Sequence, residues 1–362
     1  MDAAAVERGH TDGPDDARPD DARTDAAHPD NARAGTARSG KARADKARTD
    51  TDPSDTARFE ASRSRLAALA YRLLGSAADA EDVVQEAFLR WQAADRERIR
   101  VPEAWLTKVV THLCLDLLRS ARARRERTAG AWLPELLLDG DPMLGPAETA
   151  EQRESVSLAV LTLMERLAPR ERAVYVLREA FAYGHAEIAE ILDITESASQ
   201  QHLHRARLRV TAARRGGAAD PASARRVVEE FLAAASSGRT ERLVALLTDD
   251  AIALSDGAGG TARTLLRYDT PLRVAAVARA GFRPTPAKRR LAGGTPAVHY
   301  AVVNGAPCLL FVVGEQVRGA VAFDIAHGRV ATVRGIAAPA RLARLAEAWR
   351  RRGPDAPLIA RW

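Results

Sequence analysis

The stretch HAEIAEILDITESASQQHLHRARLRV, residues 185–210, carries the side chains best suited to reading a nucleic acid. The Gln200 amide can pair bidentately with adenine in a major groove. Ser197, Gln201 and His204 point outward from the same helix, and Thr195 stands at its start. Arg205, Arg207 and Arg209 suit phosphate, which positions a protein on a duplex without specifying sequence. The pattern that holds them is helix, turn, helix. Ile188, Ile191 and Leu192 fall on one face of the first helix. Asp193-Ile194-Thr195 makes the turn, and Asp tolerates the left-handed conformation expected at 193. Thr195 suits an N-cap, and Glu196 follows in the first turn, where its charge complements the helix dipole. The second helix is expected to pack through Ala198, Leu203 and Ala206. Ser199 puts a hydroxyl where an apolar contact is expected. The alternative is a plain helical hairpin.

Three other groups have chemical potential. In DAEDVVQEAFLRW (79–91), Val83, Val84, Ala87, Phe88 and Trp91 make a core-facing stripe, and Glu81, Asp82, Gln85 and Glu86 make an acidic outer face. In PEAWLTKVVTHLCLDLLRSARARR (102–125), Lys108, Arg119, Arg122, Arg124 and Arg125 can hold a strand backbone. Trp105 there reads as a core residue or as a stacking platform, and Asp116 as a polar partner stabilising the helix. Further on, Asp256, His299, Asp324 and His327 are the residues available for proton transfer, which needs an acid and a base within reach of one substrate. Turn chemistry accounts for Asp256, Asp324 and His327 as well.

The elements that must position these groups change texture along the 362 residues. Residues 1–57 are low in complexity, with 9 Lys and Arg against 13 Asp and Glu, and read as a disordered tail. The remainder is basic, 45 against 35, which suits a polyanionic partner. Helical spacing runs over 58–127, a Pro- and Gly-containing linker over 128–150, helices again over 151–215, and a second linker over 216–223. Residues 224–346 read as helices followed by an antiparallel sheet built from AIAL, PAVHYAVV, PCLLFVV, RGAVAFDIA and RVATVRGI. Residues 347–362 read as a C-terminal tail. Cys114 and Cys308 lie in apolar runs, which suits small core residues of a reduced compartment rather than a disulfide or a metal site. No metal or cofactor is called for. Without an apolar signal or a spanning run, the cytoplasm is the expected location and no membrane partner is expected.

Residues 164–210 resemble region 4 of the extracytoplasmic-function (ECF) sigma factors of the sigma-70 family, and 79–125 resemble their region 2. The resemblance implies a multidomain protein with two all-α sigma domains, the second containing the helix-turn-helix. It implies that Thr195, Ser197, Gln200, Gln201, His204, Arg205 and Arg207 face an upstream promoter element. Lys108, Thr111, His112, Arg119 and Arg122 would face the minus-ten element. Glu81, Asp82, Gln85 and Glu86 would dock on the clamp of the large subunit of core RNA polymerase. This chain departs from the family at Ser199 and Gln200, where a β-branched residue and Arg are usual, and at His202, where Leu is frequent.

Within that family, WLPEL (132–136), SDGAGG (255–260) and VNGAPCLL (303–310) resemble the sigma-J-like subgroup, whose chain ends in an α+β SnoaL-like domain similar to nuclear transport factor 2. The subgroup's closing Asn-Pro-Asp-Lys-Leu is reduced here to Ala338-Pro339-Ala340-Arg341-Leu342. The resemblance implies a regulator in cis that packs on the sigma regions, with Asp256, Gly257, Gly259 and Gly260 in its signature loop. Two competing readings remain. One is a one-component helix-turn-helix regulator with a ligand-binding or enzymatic C-terminal domain, against which 79–125 argues. The other is an enzyme with a vestigial DNA-binding half.

Overall fold

The computed structural model describes residues 53–125, 133–145, 149–212, 220–257, 265–353 and 355–362. The expected disordered tail lies outside these residues except at its end, where the first helix begins at Pro53 rather than at 58.

Three helices open the fold: α1 (Pro53–Leu74), α2 (Ala77–Ala93) and α3 (Pro102–Arg125). Gly75, at φ 67°, breaks α1 from α2, and the Ser76 hydroxyl caps α2 by accepting from the Asp79 amide at 3.2 Å. The expected stripe of α2 is buried at Val83, Val84, Ala87 and Trp91, with Phe88 half-buried against Phe59. After the linker come α4 (Ala150–Glu154), α5 (Leu158–Met164), α6 (Pro169–Glu179), α7 (His185–Leu192) and α8 (Glu196–Ala212). All of α1–α3 and α5–α8 contribute to one apolar cluster, which also takes Leu137, Met143 and Leu144 from the linker.

The C-terminal domain runs α9 (Pro221–Ser237), α10 (Thr240–Ala245), β1 (Leu247–Ser255), β2 (Leu266–Tyr268), α11 (Pro271–Phe282), α12 (Pro286–Ala292), β3 (Ala297–Val303), β4 (Ala306–Val313), β5 (Gln316–Ala326), β6 (Arg329–Ile336) and α13 (Pro339–Arg352). The strand order is β2-β1-β6-β5-β4-β3. The sheet is mixed rather than antiparallel, because β1 runs parallel to β6. One long segment, β2 to β5, separates those strands in sequence, so no hairpin signal marks the pairing.

Each face of the sheet covers a separate core. On one face, Val298, Leu309, Phe311, Phe323 and Val333 meet α9–α11. Rings fill that side in sequence: Phe323 to Phe231 at 5.2 Å, Phe231 to Phe282 at 6.0 Å, Phe282 to Phe311 at 5.7 Å, and Phe311 to Trp362 at 5.0 Å. The other face, with Ala301, Val303, Cys308, Leu310, Ala320 and Ala322, packs on Leu133, Leu136 and Leu138 of the linker, on Leu158, and on Leu342, Leu345 and Trp349 of α13.

Residues 347–362 are therefore part of the domain, not a tail. Trp349 and Trp362 are buried, Ile359 pairs with Val298 beside the sheet edge, and the Trp362 indole donates to the Phe282 carbonyl at 2.9 Å. The second linker is likewise shortened, since α9 starts at Pro221 with Asp220 as its cap.

Candidate nucleic-acid and polymerase interfaces

The turn between α7 and α8 has the expected geometry. Asp193 is left-handed, at φ 50° and ψ 53°, and the Thr195 hydroxyl accepts from the Ala198 amide at 3.1 Å. Ser197, Gln200, Gln201, His204 and Arg205 are exposed on α8. Leu203 and Ala206 are buried as expected, together with Val210, while Ser199 takes the buried place expected of Ala198, which is half-buried. Ser199 is accommodated because His185, at the start of α7, hydrogen-bonds its hydroxyl through Nδ1 at 2.9 Å. His202 has no such partner. Its Nδ1 is buried without a hydrogen bond, and burial lowers its pKa.

Two of the arginines are already engaged. Arg207 donates through Nε and Nη2 to Glu179 Oε1, at 3.0 and 2.7 Å. Arg209 pairs with the buried Glu171. Both bonds tie α8 back to α6. Of the three arginines expected on phosphate, Arg205 is the one whose exposure meets the expectation without such a tie.

On α3, Thr111 corrects its assignment to a DNA-facing surface. It is fully buried and its hydroxyl donates to the Thr107 carbonyl at 2.7 Å, the internal bond open to a helical threonine. Lys108 and His112, one turn apart from each other on α3, meet the helix-turn-helix. Lys108 Nζ donates to Asp193 Oδ1 at 2.5 Å and to the Glu190 carbonyl at 2.9 Å. His112 Nε2 lies 2.8 Å from the Ile191 carbonyl and 3.4 Å from Asp193 Oδ2. Both side chains thus sit at the C-terminal end of α7, where carbonyls are left over and the dipole is negative. The Asp193 carboxyl is held below its ordinary range by the Lys108 hydrogen bond. Arg119 is exposed and pairs with Asp116, as a helix partner would. The Arg122, Arg124 and Arg125 side chains lie outside the described residues. Trp105 is half-buried, 5.7 Å from the Trp91 ring.

The acidic face of α2 is where the sequence places it. Glu81, Asp82 and Gln85 are exposed, and Glu86 is half-exposed and bonded to Arg90 at 2.9 Å. Glu81 has a partner that the sequence did not announce, Arg344 of α13. The same guanidinium donates to both Asp141 oxygens, at 2.8 and 2.9 Å, and the Asp141 side chain is almost wholly buried. Planar two-point pairing of this kind is the strong form of an ion pair.

Further bonds run between the C-terminal domain, the linker and α1. Asn304 and Gly305 turn β3 into β4 with φ of 51° and 72°, the two-residue hairpin that Asn-Gly favours. Such a tip is ordinarily solvated, yet Asn304 is fully buried. Its Oδ1 accepts from the Leu137 amide at 2.9 Å, and its Nδ2 donates to the Tyr71 hydroxyl oxygen at 2.8 Å and to the Val156 carbonyl at 3.0 Å. Its backbone amide donates to the Leu137 carbonyl at 3.0 Å. Tyr71 in turn donates to the Glu135 carbonyl at 2.7 Å. The Glu135 carboxylate accepts from the Ala77 amide at 2.7 Å, at the N-terminus of α2. Arg341 donates to the Leu133 carbonyl at 2.8 Å. The basic position of the reduced closing motif therefore binds the Trp-Leu-Pro-Glu stretch.

Asp256, His299 and Asp324, weighed for proton transfer, each have a partner of another kind, and His327 holds a turn. Both Asp256 oxygens accept from the Ala337 amide at 3.0 Å, and one also accepts from Ala338 at 2.8 Å, ahead of α13. Gly257 has φ 77°, while Gly259 and Gly260 lie outside the described residues. His299 Nδ1 is 3.0 Å from the Asp355 carbonyl. Asp324 pairs with the buried Arg334 at 2.7 Å, and His327 takes the left-handed turn position before Gly328. His299 and Asp324 lie on β3 and β5, two strands and four positions apart in register, or roughly 16 Å. Among the described residues no cluster of His, Cys, Asp and Glu could hold a metal, and no helix is long and apolar enough to cross a membrane.

A helical domain with an acidic outer face, followed by a helix-turn-helix with exposed amides, has the arrangement of a sigma-type initiation factor. Residues 58–124 match Sigma-70 region 2, and residues 157–210 match Sigma-70, region 4. The ECF RNA polymerase sigma factor SigJ of Mycobacterium tuberculosis is 43% identical over 213 residues, 58% of this chain and 67% of that protein. The probable ECF RNA polymerase sigma factor SigI of the same species is 32% identical over 291 residues, 79% of this chain and 94% of that one. The crystal structure of M. tuberculosis SigJ matches with a TM-score of 0.59 at 32% identity, covering 80% of this chain and 98% of that chain. The chain belongs to the ECF RNA polymerase sigma factors and acts in transcription initiation, with a C-terminal α+β domain of the SnoaL-like kind.

Proposed function

We propose that the C-terminal domain holds the two sigma regions closed on each other and so sets, in cis, how readily this sigma factor engages core polymerase and promoter. The observation that carries this is the Lys108–Asp193 bond, which joins the minus-ten helix to the helix-turn-helix at 2.5 Å. Elements at minus ten and minus thirty-five are separated by about 85 Å of B-form DNA, at about 3.4 Å per base pair. A chain whose two readers touch cannot span that distance, so transcription requires them to part. Asn304, Arg341 and Arg344 are the residues through which the C-terminal domain opposes parting, by way of Tyr71, the linker and Glu81.

Within this reading, Glu81, Asp82, Gln85 and Glu86 dock on the polymerase clamp. Lys108, His112, Arg119 and Arg122 hold the minus-ten strand, Gln200 reads a base of the upstream element, and Arg205 holds phosphate there. The C-terminal domain acts by packing rather than by catalysis. The ring-filled side of its sheet, the structural partners of Asp256, His299 and Asp324, and the turn position of His327 support that role. The protein works in the cytoplasm, where core polymerase is.

Promoter-dependent initiation with purified core polymerase tests the proposal. The full chain is compared with its Asn304→Asp and Arg344→Ala variants. Higher initiation by either variant at equal core concentration supports cis restraint. Equal initiation by all three forms would remove it.

A further inference from the structure

We infer that Asp193 is an internal stand-in for a DNA phosphate, so that region 2 binds single-stranded DNA only as it releases its own helix-turn-helix. This rests on the reading of Lys108 and His112 as strand-holding residues. Lys108 presents its ammonium to a carboxylate oxygen at 2.5 Å and a carbonyl at 2.9 Å. His112 presents Nε2 to a carbonyl at 2.8 Å and to the second carboxylate oxygen at 3.4 Å. Two donors, one turn apart on α3, thus converge on two oxygens of one anion and the carbonyl end of a helix. That is the arrangement a backbone phosphate would take, with two anionic oxygens between a lysine and a histidine.

Asp193 meets the conditions of a stand-in that must leave. It is exposed and sits at a left-handed turn position. An exposed pair of this kind is weak because solvent screens it, whereas phosphate binding adds the release of condensed counterions. DNA can therefore displace it. The arrangement makes closure and strand binding mutually exclusive at one atom, Lys108 Nζ. It also predicts a specific use for the carboxylate at 193: an Asn there keeps the left-handed turn but removes the anion.

The test is binding of a fluorescently labelled oligo(dT) strand to the full chain, followed by anisotropy over a salt series. Wild type is compared with Asp193→Asn, Lys108→Ala and the double variant. Asp193→Asn is expected to bind about three- to fivefold tighter, with a salt slope steeper by about one counterion. Lys108→Ala is expected to abolish that gain in the double variant. If Asp193→Asn leaves affinity and slope unchanged while Lys108→Ala weakens wild type, the stand-in is refuted and the reading of Lys108 survives. A gain that persists without Lys108 also refutes it. If Lys108→Ala has no effect in either background, the reading of Lys108 falls, and the stand-in with it.

Discussion

Asn304 donates a hydrogen bond from its side-chain nitrogen to the phenol oxygen of Tyr71, at 2.8 Å and 233 positions away in the chain. Both residues are fully buried, and the Tyr71 proton is already given to the Glu135 carbonyl. The phenol therefore has only acceptor capacity left, and an amide is the side chain that can use it while also accepting from Leu137.

Replacing Asn304 with Asp removes both donors and leaves a carboxylate facing the Val156 carbonyl. A buried group left unsatisfied in this way costs about 3 kcal/mol or more. Hydrogen exchange at the Leu137 and Asp139 amides, which bond the hairpin strand, is expected to accelerate at least tenfold. Unchanged exchange would mean that the hairpin tip is not a fastening point.

Arg344→Ala separates the C-terminal domain from α2 and leaves the buried Asp141 carboxylate without its partner. Stability is expected to fall by about 2 kcal/mol in urea unfolding. Affinity for core polymerase is expected to rise, because Glu81 becomes available. Surface titration against core at two salt concentrations checks this. Weaker binding by the variant would place Arg344 in the docking surface instead.

Gln200→Ala is expected to relax preference at one base pair of the upstream element by about 1–3 kcal/mol. Arg205→Ala is expected to weaken all sequences alike and to lower the salt slope by about one. Selection of bound sequences from a randomised promoter library with holoenzyme separates the two effects.

His202 has a folded pKa depressed by burial, so the folded state resists the proton that the unfolded chain accepts. Its contribution is present above the ordinary histidine value and is lost as pH falls through the folded value. Stability of the helix-turn-helix is thus expected to decline on acidification from neutral pH. His202→Leu removes both the buried unbonded Nδ1 and this titration. It is expected to stabilise by about 1 kcal/mol at neutral pH and to flatten the acid limb, both read by thermal unfolding between pH 5 and 7.

The helices of the two sigma regions, α9, α10 and five of the strands were legible because their signals are local: apolar period and Thr195 as a cap. Helices α11 and α12 between β2 and β3, and α13 after β6, depart from the expected order of helices followed by a sheet. What escaped depends on contacts distant in sequence. Ser199 reads as misplaced in a packing position until His185, fourteen residues earlier, supplies its partner. Thr111 reads as a surface donor because nothing local says that its hydroxyl is spent inside its own helix. The burial of Asn304 has no local signal, since an Asn-Gly turn looks the same in sequence whether or not another domain covers it. The last residues, LIARW, have no period, and only the ring chain from Phe323 to Trp362 shows why they are held.

Closure of the two sigma regions is tested most directly by the distance between them in solution. Spin labels on cysteines introduced at Ser64 of α1 and Ala186 of α7 suit pulsed dipolar measurement, since both positions are exposed and outside the proposed docking and DNA-facing residues, while Cys114 and Cys308 are buried. In the unbound full chain a single short distance is expected. It is expected to lengthen markedly on binding core polymerase and promoter, and to broaden already in the unbound Asn304→Asp variant. A long, broad distribution in the unbound wild-type chain, or the same short distance in the promoter complex, would contradict closure by the C-terminal domain.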